Sequence, residues 1–147
     1  MTANPIVTPR SAVDEAFVLG TMLHELMEVT AKDLGLTVAR ARLIYCVSVM
    51  KPVRQRRLGE ELSMSSQQVG VMLDALEGKG LLERLPDPDD RRAHLVTLTS
   101  NGQDVARQIE ERRSVAAEFL LEGADESDLE AFITVCQQIR LRISSFS

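Results

Sequence analysis

The order of segments between residues 54 and 99 constrains the fold of this chain more than any other feature. A short helical segment, RQRRLGEELSM, is followed by a tight break at Ser63 and Met64 and by a second helical pattern, SSQQVGVMLDALEGKG. The second pattern begins at a good N-cap, Ser65, and carries one apolar stripe, formed by Val69, Met72, Leu73 and Leu76. LLERL and HLVTLT then flank a charged tip and can pair as a hairpin. A helix-turn-helix followed by a hairpin predicts a winged helix, whose second helix enters the DNA major groove.

The tip of the hairpin, DPDDRR at residues 87 to 92, is rich in charge for a turn. An arginine there suits the narrow, electronegative minor groove, but aiming its long side chain costs rotamer entropy. Asp90, two residues before Arg92, is placed to brace that guanidinium, whereas Asp87 and Asp89 suit the turn itself. Two prolines restrict the loop, Pro86 and Pro88. We therefore interpret the tip as a wing that reaches toward DNA.

Helical patterns flank the winged helix on both sides. Ser11 is a candidate N-cap for a long first helix, and Thr37 caps a second helix that ends at the helix-breaking Pro52. Thr99 can cap a long helix after the hairpin, and SDLE at 127 to 130 fits a capping box for a last helix. The fold class that we expect is mainly α with a small β-hairpin wing.

Charge separates the middle of the chain from the rest. The 147 residues carry a net charge of -5, which argues against a protein that coats nucleic acid without specificity. Residues 51–94 hold eight Lys or Arg and eight Asp or Glu, so the excess of acid lies outside them. No apolar run is long enough to cross a bilayer, and MTANPIVTPR lacks a signal-peptide pattern. We expect a cytoplasmic location and no membrane association.

The wing carries a resemblance to a known family. Asp90, Arg92, Leu98 and Thr99 match the D-x-R-x-x-x-x-x-L-T signature of the MarR family of bacterial transcription regulators, which this chain resembles over residues 36 to 102. LTVARARLIYCV, LEGKGLLER and LTSNG resemble the family's second helix, the approach to its wing and the start of its fifth helix. The resemblance implies a homodimer that binds double-stranded DNA at a palindromic operator as a repressor. It also implies a small aromatic or phenolic ligand that modulates DNA binding.

With this resemblance the chain divides into three parts. An N-terminal arm and dimerisation helix occupy residues 1–35, a winged helix-turn-helix DNA-binding region occupies 36–98, and C-terminal dimerisation helices occupy 99–147. The terminal helices carry more apolar surface than a small winged helix needs, and a twofold partner would bury it. The alternative is that these helices pack only within one chain. A dimer would present two reading helices to half-sites about one DNA turn apart.

The candidate DNA contacts fall into three groups. The reading helix, residues 65–78, offers side chains that can pair with adenine or touch a thymine methyl, namely Ser65, Ser66, Gln67, Gln68 and Val71. The wing, residues 86–94, offers Asp90, Arg91 and Arg92. This reading helix departs from the family because it has almost no positive charge, so phosphate attraction must come from its flanks, from Arg54, Arg56, Arg57, Lys79 and Arg84. Alternatively, the run KPVRQRR at 51 to 57 is only a solvated face.

Ligand, metal and catalytic sites have weaker signals. The candidates for the ligand pocket lie on the first two helices and are His24, Arg42, Tyr45 and Cys46. The alternative is that they are ordinary core residues, since a lone Tyr or His more often is one. A buried, inert thiol is the favoured interpretation of Cys46. No metal site or cofactor is expected, because His24 and Glu28 alone do not make a site.

Two further classes of function are conceivable besides a DNA-binding regulator. An enzyme is not expected, because the sequence has no phosphate-binding loop and no recognisable catalytic arrangement. The alternative function is a winged-helix interaction protein that has lost specific DNA binding and acts through a protein partner. The uncharged reading helix is the observation behind that alternative.

Overall fold

The computed structural model describes residues 7–90 and 92–146. Its elements are α1 (Pro9–Asp33), α2 (Val38–Met50), β1 (Val53–Arg54), α3 (Gln55–Leu62), α4 (Ser66–Gly78), β2 (Leu82–Pro86), β3 (His94–Leu98), α5 (Ser100–Leu120) and α6 (Glu126–Ser144). The expected class, mainly helical with a small hairpin wing, is confirmed. The chain forms two compact units that divide between Arg112 and Arg113. The three-part division by function stays a prediction.

The helix-turn-helix and the sheet share one hydrophobic core. Leu43, Ile44 and Val47 of α2 and Leu58 of α3 are completely buried in it. The predicted stripe of α4 is confirmed, since its members lie in the same core, Val69, Leu73 and Leu76 fully and Met72 partly buried. Full burial of each such side chain stabilises the fold by about 1.5–3 kcal/mol. This packing fixes which face of α4 remains outside.

A tight turn joins α3 to α4, as the break at Ser63 and Met64 predicted. Ser63 has a left-handed backbone with φ of 53°, and the Met64 amide donates to the Gly59 carbonyl at 2.9 Å. A Cβ atom at Gly59 would lie 3.0 Å from the Met64 carbonyl oxygen, the lower limit of real contacts. Glycine at 59 therefore lets the turn fold back closely on α3.

The hairpin is part of a three-stranded antiparallel sheet with strand order β1-β3-β2. The pairing of β2 with β3 runs from Leu82 opposite Leu98 to Pro86 opposite His94, which confirms the predicted hairpin. The third strand, β1, was not predicted, because its two residues are too few to show an alternating pattern. Val53 of β1 is buried opposite Val96, so this short strand closes the core beside the wing.

The base of the hairpin is fixed to the start of α5 by Thr99. The Thr99 hydroxyl accepts from the Gly102 amide at 3.1 Å, which confirms the predicted cap, and donates to the Gly80 carbonyl at 2.6 Å. Gly102 lies so near Leu81, the residue before β2, that a Cβ atom at position 102 would stand 1.8 Å from the Leu81 carbonyl oxygen. The helix and the strand therefore meet backbone to backbone.

Two of the predicted helix caps are wrong by two or three residues. The first helix is capped by Thr8, whose side chain accepts a hydrogen bond from the Ser11 amide at 3.1 Å. The Ser11 hydroxyl oxygen in turn accepts from the Thr8 amide. Ser11 is thus the third residue of α1 and closes a capping box, with Pro9 at the first position. In the second unit α6 is capped by Asp125, in a box with Asp128, rather than by SDLE at 127 to 130. Thr37 caps α2 as predicted.

Candidate nucleic-acid interface

The reading helix α4 begins at a closed capping box. The Ser65 hydroxyl accepts from the Gln68 amide at 3.2 Å, and Gln68 Oε1 accepts from the Ser65 amide at 2.9 Å. These bonds confirm Ser65 as the cap, and they also occupy the side-chain oxygen that Gln68 would need for a bidentate contact with adenine. Gln67, one position earlier, is exposed. Gln67 is therefore the glutamine whose position suits base reading.

One face of α4 is open to solvent and carries no aromatic, Lys or Arg side chain. Ser66, Gln67, Val71 and Asp74 are exposed, and Gly70 lies between them, half-buried. Positions three and four apart share a face of a helix, so Gln67, Gly70, Val71 and Asp74 form one continuous surface. Gln55 of α3 donates to the Ser66 carbonyl at 3.1 Å and holds the start of this helix against its neighbour. The surface combines an amide, a methyl-bearing side chain and a carboxylate.

Arg84 does not project from the hairpin as we expected of a phosphate contact. Its Nη2 lies 2.6 Å from Asp74 Oδ1, and its Nη1 lies 2.6 Å from Glu77 Oε2. Nη2 is also 3.4 Å from the Gly70 carbonyl oxygen. The side chain is only 20% exposed. Arg84 therefore joins β2 to α4, a role that nothing in the sequence spacing indicated.

The turn at the tip of the wing is built by backbone contacts of Asp90. Asp90 Oδ1 accepts from the backbone amide of Arg92 at 3.0 Å, and the Asp90 carbonyl accepts from the Ala93 amide at 2.9 Å. The prediction that Asp90 braces the Arg92 guanidinium is therefore wrong: a short carboxylate two residues away reaches the nearer amide first. Arg92 is exposed. Arg91, also predicted to contact DNA, lies outside the described residues.

Asp87 anchors the wing to the sheet. Its side chain is 2% exposed, its Oδ2 lies 2.6 Å from Arg54 Nε, and its Oδ1 accepts from the Asp89 amide at 2.9 Å. The predicted turn role of Asp87 is thus confirmed, and the ion pair is an addition to it. The hydrogen bond from Arg54 and that from the Asp89 amide lower the pKa of Asp87. In turn, the hydrogen bond to Asp87 and its negative charge raise the pKa of Arg54.

Arg54 is therefore part of the base of the wing, although we predicted it as a phosphate contact. It stands at the N-cap position of α3 without making a side-chain cap bond. Its guanidinium extends from β1 to the wing loop instead. The buried carboxylate of Asp87 needs hydrogen bonds and a counterion. Arg54 supplies both and thereby holds the wing loop against β1.

Comparison with known proteins agrees with this geometry. The model of the MarR family matches residues 36–94. The multiple antibiotic resistance protein MarR of Escherichia coli is 31% identical over 105 residues, which are 65% of this chain and 71% of that protein. The chain belongs to the MarR family. An uncharacterized protein of Mycobacterium tuberculosis is 34% identical over 122 residues, which are 81% of this chain and 82% of that protein.

Solved structures of MarR-family proteins share the fold. The crystal structure of one MarR family transcription regulator superposes with a TM-score of 0.83 at 22% identity and covers 93% of this chain and 91% of that chain. The apo form of Escherichia coli MarR gives a TM-score of 0.73 at 21% identity and covers 92% of this chain and 98% of that chain. The protein is thus a MarR-family transcription regulator with a winged-helix DNA-binding fold.

Three other cations of this MarR-family chain were predicted to contact phosphate on either side of the reading helix. Arg56 and Arg57 at the start of α3 are exposed and pair with Glu60 at 3.4 and 3.2 Å, and Arg57 also approaches Glu61 at 3.9 Å. Exposed pairs of this kind contribute little to stability and exchange partners easily. Lys79, at the end of α4, donates to the Gly35 carbonyl at 2.9 Å. The contact of these residues with phosphate stays a prediction.

The four candidate ligand residues divide between the surface and the edge of the core. His24 and Arg42 are exposed, and His24 Nε2 lies 3.6 Å from Glu28 Oε1. Tyr45 and Cys46 are half-buried against the core. A cleft of about 310 Å³ instead lies where the end of α2, β3 and the start of α5 meet, lined by Val47, Ser48, Lys51, Thr97, Leu98, Gln103, Ala106, Arg107 and Glu110. Sequence spacing could not indicate it, because its walls are far apart along the chain.

Within residues 7–90 and 92–146, no three His, Cys, Asp or Glu side chains are grouped as a metal site would need. No helix in those ranges is both long and apolar enough to span a bilayer.

Proposed function

We propose that this MarR-family regulator is a homodimeric repressor that reads a palindromic operator with the 65–78 helix and the 86–94 wing. The observation that carries the proposal is the open face of α4, a helix capped at Ser65, together with an exposed wing arginine, Arg92. A face without long side chains lets a helix approach the floor of the major groove, where each base pair presents a distinct pattern. Its place of action is the bacterial cytoplasm, where the DNA lies.

Base reading falls to Gln67 and Val71. The Gln67 amide can donate to adenine N7 and accept from adenine N6, and Val71 can contact a thymine methyl. Each good bidentate pair discriminates against a wrong base by about 1–3 kcal/mol. The operator half-site is therefore expected to hold an A·T pair where Gln67 points.

Phosphate attraction falls to residues around the reading helix. Arg56 and Arg57 are exposed at the start of α3, and Arg92 is exposed on the wing. Helix N-termini and flanking cations position a protein on the DNA backbone without carrying sequence information. Each phosphate that is neutralised adds about 0.9 to the slope of log affinity against log salt.

Dimerisation is supported by exposed apolar side chains in the terminal helices. Phe17 of α1 is 74% exposed and Phe119 of α5 is 76% exposed. In α6, Phe132, Ile133, Ile139 and Ile143 are exposed as well. Monomeric proteins seldom leave so many large apolar side chains in water, and a twofold partner would cover them. Sedimentation should give the mass of two chains at micromolar concentration; a monomer at every concentration would rule out the dimer.

Ligand control is supported by the cleft between α2, β3 and α5. Lys51 and Arg107 offer cations, and Val47, Leu98 and Ala106 offer apolar wall. A small carboxylate attached to an aromatic ring matches both kinds of wall. Because β3 is a strand of the wing hairpin, an occupant of the cleft would act on the DNA-binding element directly.

The test is selection of genomic DNA fragments by the purified protein, followed by titration of the best fragment at several salt concentrations. A palindromic site bound with a steep salt slope is expected. Weak, sequence-indifferent binding would refute specific reading. That result would favour the alternative, a winged-helix interaction protein acting through a partner, which the absence of Lys and Arg from α4 supports.

A further inference from the structure

We propose that Arg84 is the internal counterion of the reading helix: it neutralises Asp74 and Glu77 so that α4 can enter a groove between phosphates, and it does not itself contact DNA. The proposal rests on the proposed reading of DNA by α4. It departs from the simpler expectation that a basic residue near the reading helix binds phosphate.

The charge of the helix creates the need for a counterion. Residues Ser66–Gly78 include two acids, Asp74 and Glu77, and no Lys or Arg, which gives a charge of -2. Asp74 lies three positions after Val71 and seven after Gln67, on the face assigned to base reading. A carboxylate brought beside DNA phosphates meets like charge, and such juxtaposition strongly opposes binding. With Arg84 included, the net negative charge is halved, from -2 to -1.

The geometry indicates that Arg84 serves the helix rather than the DNA. Its two terminal nitrogens are each 2.6 Å from a carboxylate oxygen, one of Asp74 and one of Glu77. The Asp74 side chain is 71% exposed, whereas that of Arg84 is 20% exposed, so the carboxylate lies nearer to solvent than its partner. A phosphate would have to compete with the charge-assisted hydrogen bonds that both terminal nitrogens already make.

Three variants separate the two roles: Arg84→Met, the pair Asp74→Asn with Glu77→Gln, and the triple combination. Each is titrated with the selected DNA fragment at several salt concentrations. If Arg84 is a counterion, Arg84→Met weakens binding about tenfold at low salt through unrelieved like charge, and the loss shrinks as salt screens the repulsion. The triple variant then regains wild-type affinity, because the acids that needed neutralising are gone.

The opposite pattern would overturn the proposal. If Arg84 contacts phosphate, removing the acids does not restore the lost contact, and the triple variant stays as weak as Arg84→Met alone. Arg10→Met is the matched control, because it removes the same charge from an exposed ion pair with Asp14 on α1. Its affinity is expected to stay within about twofold of wild type, as a rim charge far from phosphates is screened.

Folding is checked by thermal melting of every variant. Should Arg84→Met fail to fold, Asp74→Asn with Glu77→Gln carries the test in the presence of Arg84. The proposal requires that this pair bind DNA more tightly than wild type, and equal or weaker binding would overturn it. If wild type selects no fragment, the proposed function fails together with this inference. If wild type selects one and the triple variant is not rescued, this inference fails alone.

Discussion

Replacement of Gly102 by alanine should loosen the junction between the wing and α5. A Cβ atom at this position would stand 1.8 Å from the Leu81 carbonyl oxygen and 3.3 Å from Leu98 Cβ. Real Cβ contacts begin near 3.0 Å, so the helix and the strand must part by the difference of 1.2 Å. The Leu81 oxygen also accepts from the Thr99 amide at 3.2 Å, and that bond would be strained.

The expected loss of stability follows from three opposing effects. Overpacking of this kind costs about 1–3 kcal/mol, and a weakened backbone hydrogen bond costs about 1 kcal/mol more. Alanine recovers about 1 kcal/mol as a better helix former. The net loss is about 2 kcal/mol, which for a chain of this size lowers the Tm by about 4–8 °C.

Thermal melting of wild type and Gly102→Ala at one protein concentration measures the effect, since the melting of an oligomer depends on concentration. Gly78→Ala is the matched control: it is also a helical glycine with ordinary backbone, but nothing lies within 4 Å of its added Cβ. The control is expected to melt at or above the wild-type temperature. A Gly102→Ala protein that melts with the control would refute the close approach of Leu81 to Gly102.

Four further predictions concern the wing and the reading helix. Arg92→Ala should weaken DNA binding at every salt concentration and lower the salt slope by about 1, and unchanged titrations would count against the wing contact. Gln67→Ala should lose about 1–3 kcal/mol of base discrimination at one operator position with an unchanged salt slope, measured on operator variants. Ser65→Ala should lose about 1 kcal/mol in urea unfolding because the cap of α4 is removed; an unchanged midpoint would contradict the box. Asp87→Asn should be less stable than wild type at pH 7. Because the folded pKa of Asp87 is lowered, this difference is complete above the unfolded value of about 3.9 and is lost as the pH falls through the folded pKa, so a gap that persists in strong acid would contradict it.

The elements that sequence reasoning could predict are those fixed by local pattern. The buried stripe of α4 repeats at helical spacing, and caps such as Ser65, Thr37 and Thr99 depend on residues three positions away. The two misplaced caps also followed local rules. Thr8 precedes a proline and faces Ser11, and Asp125 faces Asp128, so both capping boxes were present in the sequence. A stricter search for the earliest cap in each helix would have found them.

The partners of the long cations could not be predicted from spacing. Arg54 meets Asp87 across 33 positions of chain, and Arg84 meets Asp74 across ten. A flexible guanidinium can reach any carboxylate in a wide volume, so the choice depends on which elements pack together. Both arginines were predicted as phosphate contacts because the sequence offers only charge and order. The fold gives each of them a carboxylate partner.

These pairings change how DNA binding by this chain should be divided between residues. Arg54 is exposed but paired with Asp87, and Arg84 is held by Asp74 and Glu77. The other exposed cations among the proposed contacts in the described part of the chain are Arg56, Arg57, Lys79 and Arg92, and none of them lies within Ser66–Gly78. Had an arginine on α4 read bases, one side chain would have supplied both phosphate attraction and sequence discrimination. Here the two contributions belong to different elements. Substitutions of Gln67 and Val71 should therefore change which sequence is preferred, and substitutions of Arg56, Arg57 and Arg92 should change the response to salt. A Gln67→Ala protein with an altered salt slope would break this separation, because it would mean that the Gln67 face of α4 governs how closely the cations approach the DNA backbone.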